Sequence, residues 1–142
     1  MYKLNSDIVE LIRGAGKRAT NARVLVSVVL QNTKDHMTPV EIIREVSASG
    51  GHIDPSTIYR VLADLRDIGM IAESRFKPGE PRYEWIYGES HHHLHCKFCG
   101  DTIPLDTVLV KKFSESIEGT HGFTSNLSHL VLPGKCIQCK SN

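Results

Sequence analysis

No stretch of this 142-residue sequence approaches the ~20 apolar residues needed to cross a bilayer. The opening residues, MYKLNSDIVELIRG, also lack the continuous apolar core of a secretory signal. Both absences make the cytoplasm the expected compartment, with no membrane partner. Cysteine is scarce: there are four, and every one stands in a pair. In a reducing compartment such pairs are more often metal ligands than disulfides. Internal repeats and low-complexity segments are missing. So are an HExxH helix and a nucleophile motif, which leaves hydrolytic chemistry without its usual parts. Net charge is only +1, so bulk electrostatics do not mark a nucleic-acid binder. One local absence is more telling. From Leu11 to Lys34 no residue is acidic, while Arg13, Lys17, Arg18, Arg23 and Lys34 are basic. A local basic run can bind phosphate in a near-neutral protein; a merely solvated face accounts for the same charges.

Hydrophobic residues make up 40 % of the chain, enough for one ordinary domain or two small ones sharing a core. Ser6 is placed to cap a short helix carrying Ile8, Leu11 and Ile12 and stopping near Gly14. Thr20 caps a second, through about Leu30, with Val24, Leu25, Val28 and Val29 as its apolar side. Thr38-Pro39-Val40-Glu41 is a capping box with proline at the first helical position; that helix runs to about Val46 and ends before Gly50-Gly51. A fourth start follows at Asp54-Pro55-Ser56-Thr57. Ile58, Val61, Leu62, Leu65 and Ile68 recur at helical spacing, and Gly69 closes the helix. Its other face shows Ser56, Thr57, Tyr59, Arg60 and Ala63. Met70 to Phe76 and Arg82 to Tyr87 read as two strands joined by a turn over Lys77-Pro78-Gly79-Glu80-Pro81. Three helices followed by a hairpin is the order of a winged helix-turn-helix. In that arrangement the last helix enters the major groove, and Tyr59 and Arg60 would meet base edges. A plain helical domain with a wet polar face remains the alternative.

The C-terminal half carries two knuckles, Cys96-Lys97-Phe98-Cys99 and Cys136-Ile137-Gln138-Cys139. Zinc takes four thiolates in a tetrahedron, and each CxxC turn presents two of them. Residues 100–135 between the knuckles leave room for a helix and a strand. A redox pair or two vicinal disulfides are the alternatives, and two knuckles with no spare cysteine favour zinc. Such a site has no open position, so its role is structural. Just before it lies His91-His92-His93-Leu94-His95. On a strand, His91, His93 and His95 would share one side and His92 the other. Imidazoles suit iron, zinc, nickel or copper. Glu84 is a candidate oxygen ligand, and His36 is a candidate from the other domain.

Taken together, RATNAR (18–23), HMTPVEI (36–42), STIYRVLADLRDIGMI (56–71), RYE (82–84), HHHLHCKFCG (91–100), HGF (121–123) and HLVLPGKCIQC (129–139) resemble the ferric uptake regulator (Fur) family of bacterial metal-dependent transcription factors. The resemblance spans nearly the whole chain. It implies an α+β fold with an N-terminal winged-helix DNA-binding domain over residues 1–88 and an α/β dimerisation domain with the four-cysteine zinc over residues 89–142. A homodimer bound to a palindromic double-stranded operator when metal-loaded is implied too, usually as a repressor of metal-uptake genes. Structural zinc falls on Cys96, Cys99, Cys136 and Cys139. A regulatory zinc, iron or manganese ion falls on His36, Glu84, His91 and His93. DNA contacts fall on Arg18, Thr20, Arg23, Ser56, Thr57, Tyr59 and Arg60.

Departures from the family pattern are informative. Four residues after the glycine of CxxCG the family often has Glu or Asp; here it is Pro104, with Asp106 two residues on as a substitute ligand. Four ligands suit tetrahedral zinc, five or six suit iron or manganese. Peroxide-sensing relatives rely on an aspartate there, so Pro104 speaks against that alternative. A further family site uses His at position 90, His92, a helix carboxylate and a late His. Here Ser90 removes one ligand and His129 remains, so that site is expected to be weak or absent. Ala22 replaces a frequent glutamine beside Arg23. Outside the family, a zinc hydrolase using His91 and His93 with Glu84 as base, or a metal-storage protein, are the competing classes. The first lacks a motif, and the second leaves the Thr57-Tyr59-Arg60 face unexplained.

Overall fold

The computed structural model describes residues 6–33, 35–77, 79–88 and 91–141, without the side chains of Ser6, Phe76 and Lys77. The cap expected from Ser6, Lys34 of the basic run, Pro78 of the expected turn and Ser90 lie outside the described residues. The chain divides into two compact units, Met1–Tyr87 and Gly88–Asn142.

The first unit runs α1 (Ser6–Gly14), α2 (Asn21–Gln31), α3 (Pro39–Ala48), α4 (Pro55–Asp67), β1 (Ile71–Lys77) and β2 (Glu80–Trp85). Its helices start where side chains satisfy the first backbone N–H groups. Thr20 Oγ1 accepts from the Arg23 N–H at 3.3 Å. Thr38 Oγ1 accepts from the Glu41 N–H, and the Glu41 carboxylate accepts from the Thr38 N–H at 2.8 Å, closing the capping box. α4 begins differently: Pro55 fills its first position, and Asp54 makes no side-chain cap but accepts from the Ser56 hydroxyl. Gly69, at φ +77°, ends α4 in the left-handed region that a side chain would strain.

Ile8 and Ile12 of α1, Ile42 and Val46 of α3, Ile58, Leu62 and Leu65 of α4, and Met70 and Ile71 are all essentially out of solvent. They enclose α2, whose burial is wider than its sequence period suggests. Val24, Val28 and Val29 are buried as expected, but so are Val26, Ser27 and Leu30, while Leu25 is only half-buried. The reason is packing on several sides, since α2 touches α1, α3, α4 and β2. Ser27 tolerates burial because its hydroxyl donates to the Arg23 carbonyl at 2.7 Å.

The hairpin is tighter than expected. Glu80 and Pro81 belong to β2, not to the turn, and Lys77 already pairs with Glu80. Pro81 falls where the register shifts between the Ser74–Arg82 and Lys77–Glu80 pairs, so its missing N–H breaks no ladder bond. β2 also ends at Trp85, short of the expected Tyr87. Across β2, the N–H and C=O of Met37 exchange hydrogen bonds of 2.9 and 2.8 Å with Tyr83, tying the approach to α3 to the wing.

The second unit contains β3 (His92–Cys96), β4 (Thr102–Leu105), α5 (Thr107–His121), β5 (Val131–Gly134) and the short α6 (Ile137–Lys140). Its sheet has the order β4-β3-β5, with β4 antiparallel and β5 parallel to β3. A parallel neighbour needs a crossover, and α5 supplies it. Asp106 caps α5 by accepting from the Val108 N–H at 2.9 Å, and Gly122 closes it. Among the described residues of this unit only Val110 and Cys96 are buried apolar groups. Val108, Leu109, Phe113, Phe123, Ile103 and Leu132 stay exposed.

Truncating Leu62 to alanine should leave a cavity under α4 and cost about 2–5 kcal/mol. An exposed control such as Glu10→Ala should stay within about 0.5 kcal/mol. Denaturant unfolding followed by circular dichroism checks both.

Candidate metal centres and nucleic-acid face

The two knuckles meet because the chain brings them together twice. The β3–β5 ladder pairs Cys96 with Gly134, and the Lys97 N–H donates to the Gly134 carbonyl at 2.9 Å. Cys96 ends β3, Cys99 stands in the following turn, Cys136 precedes α6 and Cys139 lies within it. All four sulfurs lie within 4.8 Å of one another. Cys96–Cys139 and Cys99–Cys136 are each 3.8 Å apart. Four sulfurs at about 2.3 Å from a tetrahedral zinc stand about 3.8 Å from each other. A disulfide needs about 2.05 Å, and all four cysteines are free thiols. The donor set and its spacing therefore fit zinc.

The protonation chemistry points the same way. Backbone N–H groups of Cys99 and Cys136 aimed at Cys96 hold its thiol down at about 5. The neighbouring Cys136 sulfur and burial push Cys139 up to about 12. Cys99 is raised as well: the Asp101 backbone favours its thiolate, but the adjacent sulfurs, Cys96 first, outweigh that. Without a cation the cluster favours one thiolate; a divalent ion is what lets four sulfurs share negative charge.

In the first unit, the Met37–Tyr83 bridge sets residue 36 beside residue 84. His36 Nε2 lies 3.0 Å from Glu84 Oε2, and both side chains are about one-tenth exposed. Burial lowers the His36 pKa, but the Glu84 hydrogen bond and charge, aided by Asp35 at 3.4 Å, outweigh it and leave it raised.

In the second unit, His91, His93 and His129 form a triangle. Ring centroids are 5.3, 5.5 and 5.2 Å apart, with edge-to-face contacts. Sequence alternation anticipated His91 and His93 together. The third member is His129 instead of His95, which is buried and lines a groove with Leu94, Ile103 and Leu132. His129 comes in because residues 130 and 131 pair with His93, whose N–H donates to the Leu130 carbonyl at 2.8 Å. His92 points elsewhere. It is buried, and its Nδ1 accepts from the Leu130 N–H at 3.1 Å. Burial, then the nearby His129 and His91, push its pKa down. The groove beside His92 is lined by Thr107, Val110, Lys111, Ser114 and Leu127 and holds no helix carboxylate. Pro104 pairs with His93 across the sheet and carries no donor atom, and Asp106 is engaged as the α5 cap.

On α4, Ser56, Tyr59 and Arg60 are exposed and Thr57 is half-buried. Arg18 and Thr20 are exposed at the start of α2. Arg23 is different: its guanidinium donates to the Arg18 carbonyl at 2.9 Å and to Asp64 of α4 at 2.8 Å. Sequence reading missed that partner, because residues 41 positions apart give no local signal. It also missed Glu73, which joins Arg66 of α4 at 2.6 Å to Arg75 of β1 at 3.0 Å.

Comparison with known proteins agrees with this architecture. The model of the ferric uptake regulator family matches residues 14–132. A zinc uptake regulation protein of Mycobacterium tuberculosis is 31 % identical over 128 residues, covering 89 % of this chain and 98 % of that protein. A ferric uptake regulation protein of Vibrio parahaemolyticus is 28 % identical over 140 residues, covering 96 % and 94 %. The Vibrio cholerae ferric uptake regulator crystal structure superposes with a TM-score of 0.67 at 26 % identity, covering 90 % of this chain and 98 % of that one. The chain belongs to the ferric uptake regulator family.

The raised His36 pKa carries a pH prediction. The folded, metal-free protein holds this proton more tightly than an unfolded chain, whose histidine titrates near 6.5. The pair's stabilisation is therefore fully present below that value and lost as pH rises through the raised one. In metal-free protein, the stability lost on His36→Gln, measured by denaturant unfolding against the wild type, should be larger at about pH 6 than at about pH 8.

Proposed function

We propose that this protein is a metal-dependent DNA-binding repressor of metal-uptake genes, acting as a homodimer on a palindromic operator. Residues 1–88 bind DNA and residues 89–142 bind metal and dimerise. One observation carries the reading: each unit holds an incomplete ligand set, and the second unit alone also holds a complete one. The four sulfurs close a structural zinc site on their own. His36 with Glu84, and His91 with His93, are each too few for a metal ion that takes four to six ligands. We assign one regulatory ion to His36, Glu84, His91 and His93 together, with His129 as a further nitrogen. Such an ion supplies fixed geometry between the units and no bond-breaking chemistry, so the protein is not an enzyme.

A set of four imidazoles and one carboxylate is rich in nitrogen and favours zinc over the harder manganese. Pro104 offers no side-chain oxygen and Asp106 Oδ1 is engaged in capping α5, which weakens support for a peroxide-sensing iron site. DNA binding is supported by the exposed Ser56, Tyr59 and Arg60 at the start of α4, where a recognition helix meets base edges. Arg18 and Thr20 are available for phosphate. Dimerisation is supported by the apolar residues that the second unit leaves uncovered. No described helix is long and apolar enough to cross a membrane, in keeping with a cytoplasmic regulator.

Two measurements test this reading. Metal analysis of protein purified without oxygen should find about two ions per chain in the wild type and about one zinc in His93→Ala. Loss of both ions together would refute the division into two sites. In gel-shift titrations, Zn(II), Fe(II) or Mn(II) should tighten operator binding about tenfold or more. Equal affinity with and without every metal would refute the switch. Arg60→Ala should weaken binding at unchanged metal content, which a storage protein would not show.

A further inference from the structure

A helix that reads base edges must hold its rotation about its own axis as well as its depth. Ile58, Leu62 and Leu65 hold the inner face of α4 against the core. Its flank is held by ions. Asp64 stands one helical turn beyond Arg60, where an i,i+4 pair could draw the Arg60 guanidinium away from DNA. Its carboxylate is instead engaged by Arg23 at 2.8 Å, with Lys17 at 4.0 Å. Arg23 is only 19 % exposed at its side chain, and its second fork reaches the Arg18 carbonyl. A guanidinium committed on both forks is poorly placed to bind a phosphate.

We propose that Arg23 is a positioning residue, which through Asp64 sets the angle of the recognition helix against the start of α2, in place of the phosphate contact its sequence position suggests. This rests on the DNA-binding reading above. The Arg23 guanidinium beside Asp64 also holds that carboxyl below the usual range, as a committed pair requires. The pair frees Arg60 from its helical neighbour and holds the 18–23 segment, including Arg18 and Thr20, in one shape.

The two roles predict opposite signs for Asp64→Asn. If Arg23 contacted phosphate, removing a competing carboxylate would tighten DNA binding. If Arg23 positions α4, the same change weakens it.

The test uses full-length protein with Zn(II) and a duplex selected from a random pool by the wild type. Asp64→Asn and Arg23→Gln should each weaken binding about tenfold for the dimer, about threefold per chain. The double variant should be no weaker than either single one, and Asp64→Glu should restore most of the affinity. The salt slope should stay unchanged, whereas loss of two phosphate contacts would reduce it by about two. Equal or tighter binding by Asp64→Asn, or a shallower slope in Arg23→Gln, overturns the proposal. Amide exchange over residues 55–67, measured without DNA, should quicken in both variants and stay constant in α3; unchanged exchange in α4 overturns it as well. If the wild type selects no duplex, the DNA-binding reading falls, and the exchange measurement still judges the strut.

Discussion

The second unit cannot hold itself together by apolar burial. Among its described residues Val110 is the one buried aliphatic side chain, and its largest apolar groups face outward. A unit of this size buries too small a share of its surface for a stable core, and metals or partners usually make up the deficit. The four sulfurs meet that need. They join the end of β3 to the segment around α6, across the intervening β4, α5 and β5, so an ion held there would close a long loop whose ends already meet in a parallel ladder. The constraint also bears on the donors proposed to sense metal. His91 just precedes and His93 lies within the strand that ends at Cys96, and His129 lies just before the strand that leads to Cys136. The crosslink that fixes β3 to β5 therefore also fixes the histidine triangle.

The first unit is built on the opposite principle. Its helices enclose a continuous apolar core, and its polar devices act at the margins: the capping box at Thr38, the Arg23–Asp64 pair, and Glu73 between Arg66 and Arg75. Individually such surface pairs add little stability, about 0–1 kcal/mol. Their value is orientation. Two of them grip α4, at Asp64 and Arg66 of its last turn, and α4 is the helix whose exposed start would face DNA.

Much of this was legible in the sequence, for identifiable reasons. Thr20, Thr38-Pro39 and Gly69 mark helix ends because capping is local chemistry, complete within a few residues. The four cysteines announced their cluster because paired spacing leaves few other uses for them. What stayed hidden depends on distant chain. That α2 is buried on several sides follows from how many elements surround it, which its own periodicity cannot report. Pro81 reads as a turn residue until the register shift that accommodates it is known. Alternation placed His95 with His91 and His93. The third imidazole comes from His129, brought in by a parallel pairing that no local pattern announces. The Asp64 partner of Arg23 was hidden for the same reason: a basic run shows its charge and conceals what it pairs with.

The His36–Glu84 pair gives the proposed switch a physical basis. Metal-free, the two side chains pair at 3.0 Å in a largely buried site, and His36 keeps its proton more firmly than a free histidine. Metal binding must displace that proton, since a nitrogen cannot hold both. At His36 a competing internal partner thus opposes metal binding until further donors help. In the proposed site the imidazoles of the second unit would be those donors. A ligand shifts an equilibrium only by its differential affinity for the two states, about 1.4 kcal/mol for each factor of ten. A site that either unit completed alone would bind equally well in every arrangement of the two and shift nothing. Dividing the donors, and setting a proton against the metal in one half, makes affinity depend on arrangement; that dependence is what metal control of a DNA-binding protein requires.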